Sequence, residues 1–221
     1  MQITEASRTL RAQALAIVRE QILSGRIEPG QRINEVQLAA EIGVSRGTLR
    51  EAIRTLEQDG LLVSVAHKGS HLRRFTAREA DELQEVRLSL EVTAAIRVAR
   101  NWNPAVERVL LDRLRALGDA VEGDRPFADR LAADLSFHEA VCECAGNQAL
   151  LGMWRSLIGH ISVMVLNVGE RRMAPLQDPA AHLPLIEAIA SRDEGRIRTL
   201  FSEHFAAGQR VVAAAIGKDD Q

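Results

Sequence analysis

Residues 34–60, NEVQLAAEIGVSRGTLREAIRTLEQDG, contain two helical patterns on either side of Ile42-Gly43-Val44. Asn34 predicts the N-cap of the first helix, with Gln37 completing a capping box, and Ser45 predicts the N-cap of the second. The second helix has four apolar residues on one face: Leu49, Ala52, Ile53 and Leu56. Two short helices joined by a tight glycine turn predict a helix-turn-helix.

The segments on both sides extend this motif. Apolar residues at three- and four-residue spacing predict a helix over residues 8–24, before a turn at Glu28-Pro29-Gly30. After Gly60 the sequence predicts a strand over residues 61–65, a turn over 67–70 and a returning strand over 71–75. Three helices followed by a basic hairpin predict a winged helix-turn-helix domain over residues 1–75.

The rest of the sequence has helical periodicity almost throughout. Thr76 and Glu79 have the spacing of a capping box, which predicts the start of a new helix. The predicted helices cover residues 77–101, 104–122, 126–145, 147–168, 179–191 and 194–215, with one long loop between 169 and 178. The sequence therefore predicts a mostly α protein in which residues 76–221 form an all-α helical bundle.

Composition and charge indicate a folded chain with an anionic partner. Of the 221 residues, 46% are hydrophobic and 26% are charged, which excludes intrinsic disorder. Residues 1–75 contain 11 Lys and Arg against 8 Asp and Glu, a net charge of +3. Residues 76–221 contain 17 against 22, a net charge of −5. This asymmetry favours an anionic partner for the N-terminal part.

The sequence predicts a cytoplasmic location and no membrane partner. Charged residues such as Arg8 and Arg11 are incompatible with a secretory signal. The longest uncharged run, residues 156–169, is shorter than the ~20 residues that span a bilayer. The two cysteines, Cys142 and Cys144, are two apart on one predicted helix, so we expect no disulfide.

The second helix of the motif has a polar, basic face. Its three arginines recur at four-residue steps opposite the apolar face: Arg46, Arg50 and Arg54. Near its N-terminus are two hydroxyl residues, Ser45 and Thr48, and the hairpin tip adds His67, Lys68 and Gly69. In the major groove of double-stranded DNA, arginine reads guanine edges, while hydroxyl groups hold phosphates. The alternative is an ordinary solvated face, but the turn, caps and hairpin around it favour DNA contact.

These motifs resemble the GntR family of bacterial transcriptional regulators. The resemblance rests on IEPGQRINE at 27–35, IGVSRGTLREAI at 42–53, LEQDGL at 56–61 and Lys68-Gly69 at the wing tip. It covers residues 10–74 and implies operator binding, which for a helix-turn-helix means a homodimer with half-sites ~10 bp apart or closer. Gly47 and Lys68 depart from the Thr and Arg common in the family, so the operator sequence is not implied.

The predicted bundle contains four polar residues on apolar helix faces: Asp134, His138, His182 and His204. One carboxylate and three imidazoles directed into one bundle supply the N and O ligands that suit a divalent transition metal. The alternative is a set of hydrogen-bonded core residues, with Asp134 bonded to one of the histidines. The spacing alone leaves both interpretations open.

The same region resembles the effector domain of the FadR subfamily of GntR regulators. The matching residues are DLSFH at 134–138, Gly146-Asn147, His182, Glu187-Ala188-Ile189, Asp193 and His204. The resemblance covers residues 77–213 and implies that Asp134, His138, His182 and His204 hold a metal. Zinc is the first choice, with nickel or manganese as alternatives, and a small carboxylate would complete the coordination.

Three further residues are candidates for contacts with this carboxylate. Arg87 lies on an inward stripe and matches a family arginine that meets the ligand, although an ion pair with Glu91 is the alternative. Asn147 follows the family pattern but also has the position of a helix cap. His160 lies outside the family's ligand set, on an apolar stripe of its helix.

Two functions from different classes fit these features. The first is a ligand-responsive regulator whose DNA affinity changes when a small carboxylate binds at the metal. The second is a metal-dependent enzyme acting on a small organic acid. No motif offers a well-placed general base, and a hydrolase has no use for a DNA-binding module, so the sequence favours the regulator. The net charge of +3 and the scarcity of aromatic residues disfavour an architectural or RNA-binding protein.

Overall fold

The computed structural model describes the backbone of residues 5–216 and the side chains of residues 9–216. Two compact units follow one another along the chain, and the division falls between Arg74 and Phe75. Each unit has its own hydrophobic core.

The first unit is a winged helix-turn-helix, as the sequence predicted. Its elements are α1 (Glu5–Leu23), α2 (Glu35–Ile42), α3 (Arg46–Gln58), β1 (Leu62–Val65) and β2 (Gly69–Leu72). Gly43 ends α2 at φ 78°, a left-handed conformation that residues with a Cβ adopt at a cost. Helices α1 and α3 pack closely, so the apolar face of α3 is buried and its polar face is exposed.

The capping box predicted for α2 forms only in part. The side chain of Asn34 accepts a hydrogen bond from the backbone N–H of Gln37 at 3.2 Å, as a cap should. The side chain of Gln37, however, donates to Glu41 at 2.7 Å. The charged acceptor one turn later thus takes the Gln37 amide, which in a full box reaches back to the cap.

The wing is shorter than the sequence predicted. The returning strand covers Gly69–Leu72 and not residues 71–75, and it pairs antiparallel with β1 in the register Val65↔Gly69 and Leu62↔Leu72. A three-residue loop joins the strands, and it requires His67 at φ 62°. Arg73 lies beyond the strand, where its backbone N–H donates to the carbonyl of Leu61 at 3.0 Å.

The second unit is a bundle of helices, in agreement with the sequence. Its elements are α4 (Ala77–Arg100), α5 (Pro104–Glu122), α6 (Phe127–Cys144), α7 (Gln148–Val168), α8 (Glu170–Met173), a 3-10 turn (Ala174–Gln177), α9 (Pro179–Ser191) and α10 (Glu194–Ile216). Helix α4 contacts α6, α7, α9 and α10, so it is the element around which the bundle is built.

The segment between 169 and 178 is not the long loop that the sequence predicted. Gly169, at φ 87° and ψ 152°, ends α7, and its carbonyl accepts from the N–H groups of Arg172 and Met173. These bonds start the short helix α8, and Pro175 lies in the first turn of the following 3-10 segment. The connection therefore has a defined backbone path.

Helix α7 is a core helix of the bundle. Its 21 residues are long and apolar enough to cross a membrane by length and composition alone. Trp154, Ile161 and Met164 are nevertheless fully buried by the neighbouring helices. On the opposite side Arg155 pairs with Glu139 at 2.6 Å and with Glu143 at 2.7 Å.

The capping box of α4 offers a test of the fold. Thr76 accepts from the N–H of Glu79 at 3.2 Å, and Glu79 accepts from the N–H of Thr76 at 2.9 Å. We expect Thr76→Ala to destabilise the second unit by ~1 kcal/mol. Both tryptophans, Trp102 and Trp154, belong to this unit, so urea unfolding followed by tryptophan fluorescence measures the change. The control Thr93→Ala, at an exposed position inside α4, should cause no loss.

Candidate functional site

The exposed face of α3 has the polar residues that the sequence assigned to DNA. Ser45 caps the helix, because its Oγ accepts from the N–H of Thr48 at 3.1 Å and lies 2.9 Å from the Thr48 hydroxyl. Arg46, Arg50 and Arg54 are all exposed on the same helix. Arg50 donates to Glu35 of α2 at 2.7 Å, and Arg54 donates to Glu51 at 2.7 Å.

The wing tip lies in the same unit, and His67 and Lys68 are exposed on it. Gly69 borders a shallow groove that Arg46 and Arg50 also line. Arg32 lines this groove as well, beside Gly69. We did not select Arg32 from the sequence, although it lies inside the stretch 27–35, and its isolated β-bridge to His71 explains its place beside the wing.

The bundle brings three of the four candidate metal ligands into one cluster. One nitrogen from each of His138, His182 and His204 lies within 4.8 Å of the other two, which is close enough to hold a metal ion. Asp134 Oδ1 lies 3.1 Å from His182 Nε2. Helices α6, α9 and α10 supply these residues, so the cluster depends on the packing of three helices.

Two of the histidines are oriented by a hydrogen bond from the ring nitrogen Nδ1. His138 Nδ1 lies 2.5 Å from Glu91 Oε2, and His182 Nδ1 lies 2.9 Å from the carbonyl oxygen of Asp178. When these rings are neutral, both acceptors place the proton on Nδ1 and leave Nε2 with a lone pair. His182 Nε2 is buried and makes no hydrogen bond of good geometry among residues 9–216.

Glu91 is a fully buried carboxylate that accepts from three side chains. Its donors are Arg87 Nε at 2.8 Å, His138 Nδ1 at 2.5 Å and Trp154 Nε1 at 3.0 Å. Burial alone would raise the pKa of Glu91, but His138 and Arg87 hold it well below its usual range. Glu91 is therefore ionised and fixes the positions of groups on α4, α6 and α7.

Burial and neighbouring charges also shift the pKa values of the three histidines in the cluster. Burial, followed by the nearby His138 and His182, lowers the pKa of His204 to about 3. Burial likewise lowers the pKa of His138 against the opposing pull of Glu91. Burial lowers the pKa of His182, but Asp134 raises it by more, so the pKa of His182 lies above its ordinary value. His138 and His204 are thus neutral near pH 7, as metal ligands must be.

A small cavity of about 40 Å³ adjoins the cluster. Arg87, Asp134, His138 and His204 line it, together with Gln84 and Gln177. Arg87 is both an ion-pair partner and a cavity residue, because its Nε bonds Glu91 while its buried Nη2 has no partner among residues 9–216. Its guanidinium carbon lies 4.8 Å from the centre of the Phe205 ring.

The structure does not bring Asn147 and His160 to this cavity. Asn147 caps α7, and its Oδ1 accepts from the N–H of Leu150 at 3.2 Å, which is the alternative that the sequence allowed. His160 lies elsewhere on α7, where its ring packs edge-on to Phe75 with centroids 6.5 Å apart. Neither residue lines the cavity, so its geometry gives no support to their predicted effector contacts.

Gln84 and Gln177 are the cavity residues that sequence analysis missed. Gln84 precedes Arg87 by three residues and Glu91 by seven, so its inward position could have been read from the period of α4. Gln177 lies at the end of the 3-10 turn, where no periodic pattern gives the direction of a side chain.

The donor set fits a divalent transition metal. Three imidazoles and one carboxylate are nitrogen and oxygen ligands of the type that zinc, nickel and manganese accept. The supporting observation is the buried Nε2 of His182, which lies 3.1 Å from Asp134 Oδ1 and makes no hydrogen bond of good geometry among residues 9–216. Asp134, His138, His182 and His204 would hold the ion.

A winged helix-turn-helix followed by a helical bundle with a buried polar cavity defines a DNA-binding regulator with an effector domain. Comparison with known proteins agrees. Residues 10–72 match the gntR family of bacterial regulatory proteins, and residues 82–207 match the FCD domain. This chain belongs to the GntR family of bacterial transcriptional regulators and has an FCD effector domain.

Relatives along most of the chain support this assignment. The "probable D-xylose utilization operon transcriptional repressor" of Paenarthrobacter nicotinovorans is 31% identical over 96% of this chain and 92% of its own. The Nta operon transcriptional regulator of Aminobacter aminovorans is 31% identical over 82% and 84%. These relatives are regulators and not enzymes, which overturns the alternative of a metal-dependent enzyme.

Solved structures share the fold. A GntR regulator from Rhodococcus sp. RHA1 has a TM-score of 0.76 at 22% identity, covering 93% of this chain and 98% of that one. McbR/YncC of E. coli has a TM-score of 0.70 at 20% identity, covering 92% and 96%.

The Glu91 network is testable by its effect on stability. We expect Glu91→Ala to cost ~3–5 kcal/mol, because it leaves Arg87 and His138 buried without their acceptor. Glu91→Gln, which keeps an acceptor, should cost less. Glu143→Ala, which removes one carboxylate from the exposed Arg155 pair, should cost at most ~1 kcal/mol. Denaturation followed by circular dichroism measures all three, and a loss for Glu91→Ala no larger than for Glu143→Ala would contradict the network.

Proposed function

We propose that this protein is a cytoplasmic, ligand-responsive regulator that binds a palindromic operator as a homodimer. A small carboxylate bound at a metal in the second unit changes its affinity for DNA. The observation that supports this proposal is the cluster of His138, His182 and His204 beside the unpartnered, buried Nη2 of Arg87. A metal with an open position and an adjacent guanidinium form a receptor for a carboxylate.

The residues of the first unit support the DNA half of the proposal. Arg46 and Arg50 lie on the exposed face of the first turns of α3, where a recognition helix contacts base edges. In this proposal Ser45, Thr48 and the N–H groups of the first turn contact phosphate, and so do Lys68 and Gly69 on the wing. Arg54 lies further along α3 and is the candidate for a backbone contact.

The charge and burial of Arg87 support the proposed binding of a carboxylate. The Arg87 side chain is 8% exposed, and Glu91 neutralises it through Nε alone. The remaining guanidinium edge faces a cavity too small to hydrate a free anion well, so an anion bound to both metal and Arg87 is strongly preferred. Such a ligand alters DNA affinity only through different affinities for two arrangements of the protein.

The DNA surface can be tested on fragments that the protein itself selects from a randomised pool. We expect the selected sites to be palindromic, and Arg46→Ala and Arg50→Ala each to weaken binding by ~1–3 kcal/mol through loss of a base contact. Lys68→Ala should weaken selected and random DNA alike. Arg115→Ala, at an exposed ion pair of the second unit, is the control. Unchanged affinity in both α3 variants, with folding intact, would remove the recognition-helix assignment.

The metal site can be tested by metal analysis and thermal melting. We expect zinc added to chelator-treated protein to stabilise it by ~2.7 kcal/mol at a hundredfold excess over its Kd. His182→Ala and His204→Ala should abolish both metal content and this shift while DNA binding survives. The control His160→Ala, at a residue that does not line the cavity, should keep the metal. If zinc, nickel and manganese all leave the melting temperature unchanged, the three histidines are core residues only.

A further inference from the structure

Val36 is an exposed apolar residue in the first turn of α2. It is 59% exposed, more than any other large hydrophobic residue among residues 9–74 of the first unit. The residues that α2 buries in the core of this unit are Leu38 and Ala39. Packing of the first unit therefore does not explain a valine at this position.

The start of α2 lies against the exposed face of α3. Glu35, the residue before Val36, accepts a hydrogen bond from Arg50 Nε at 2.7 Å. Val36 lines the same shallow groove as Arg46, Arg50 and Gly69 of the wing. Val36 is thus an apolar side chain on the surface that we propose for DNA, among groups that bind bases or phosphates.

The chemistry of valine restricts what this side chain can contact on DNA. It neither donates nor accepts a hydrogen bond, and beside a phosphate it would exclude water without supplying a partner. The base edges in the major groove carry one apolar group, which is the C5-methyl group of thymine. Contact between this methyl group and Val36 removes apolar surface of both from water. Thymine is therefore the base that Val36 can distinguish.

Val36 is also preorganised for such a contact. A β-branched side chain in a helix has one strongly preferred χ1 rotamer, so the backbone fixes the positions of its methyl groups. The cap of α2 holds the backbone of this turn, because Asn34 Oδ1 accepts from the N–H of Gln37 at 3.2 Å. Packing against Val36 therefore costs little side-chain entropy, in contrast to ordering a long flexible side chain.

We propose that Val36 contributes to operator specificity by packing against the C5-methyl group of a thymine in each half-site. This inference rests on the proposed function, because it requires the exposed face of α3 to lie in the major groove. Helix α2 then adds an apolar base contact beside the guanine contacts proposed for Arg46 and Arg50.

The test removes the methyl group from the DNA. Uracil pairs with adenine as thymine does and differs from thymine only in lacking the C5-methyl group. In a fragment that the full-length protein selects from a randomised pool, uracil replaces each thymine of the half-sites in turn, together with its symmetry mate. We expect the replacement at one position to weaken binding by about fourfold per half-site, which corresponds to ~0.8 kcal/mol for one methyl group.

Val36→Ala identifies the residue responsible. Alanine is favourable in a helix and the position is exposed, so this variant should fold as the unchanged protein does. We expect it to bind the thymine fragment at least as weakly as the unchanged protein binds the uracil fragment, and to lose little more when uracil is introduced. The control Val109→Ala, at a valine of α5 that is 40% exposed, should keep the full loss on uracil.

The outcomes separate this inference from the proposed function. Selected half-sites without thymine, or a loss on uracil that is the same in Val36→Ala at every position, would show that the methyl contact does not exist and would leave the contacts of α3 intact. A variant that loses affinity equally for thymine and uracil fragments would place Val36 against the sugar–phosphate backbone and would also overturn the inference. Failure of the protein to select any fragment would overturn both.

Discussion

The effector unit depends on the buried carboxylate of Glu91. Ionised and fully buried, it would be strongly destabilising alone, but donors from three helices surround it. One of its oxygens accepts from Arg87 and Trp154, and the other accepts from His138. The same bonds set the proton position on the histidine and leave one edge of the guanidinium directed at the cavity. A side chain that does not line the cavity therefore fixes two that do.

The helices and their order could be predicted because local chemistry determines them. Caps such as Asn34, Ser45 and Thr76 and the period of apolar residues mark these helices in the sequence, and the structure agrees. The bounds of the returning wing strand and the connection after α7 could not be predicted correctly, because backbone geometry determines them. His67 adopts a left-handed conformation that cannot be predicted from its residue type. The carbonyl of Gly169 accepts the first hydrogen bonds of a new helix, where the sequence predicted a loop.

The candidate site was also predicted only in part from the sequence. The inward positions of Arg87, Asp134, His138 and His182 follow from helical period, and the structure gathers the histidines. The helical period does not predict the groups that orient His138 and His182, because Glu91 lies on another helix and the Asp178 carbonyl lies just before α9. Asn147 shows the limit of resemblance, since a residue at a matching position serves here as a cap.

The carboxylate partners of the α3 arginines bear on the proposed contact with DNA. Arg50 and Arg54 are already paired with Glu35 and Glu51, and residues 1–75 have a net charge of only +3. If α3 contacts DNA as proposed, a phosphate or a base edge that binds either arginine takes the place of a carboxylate, and loss of the ion pair offsets part of the gain. Exposed pairs of this kind contribute at most ~1 kcal/mol, so a guanine edge that accepts two hydrogen bonds displaces them readily.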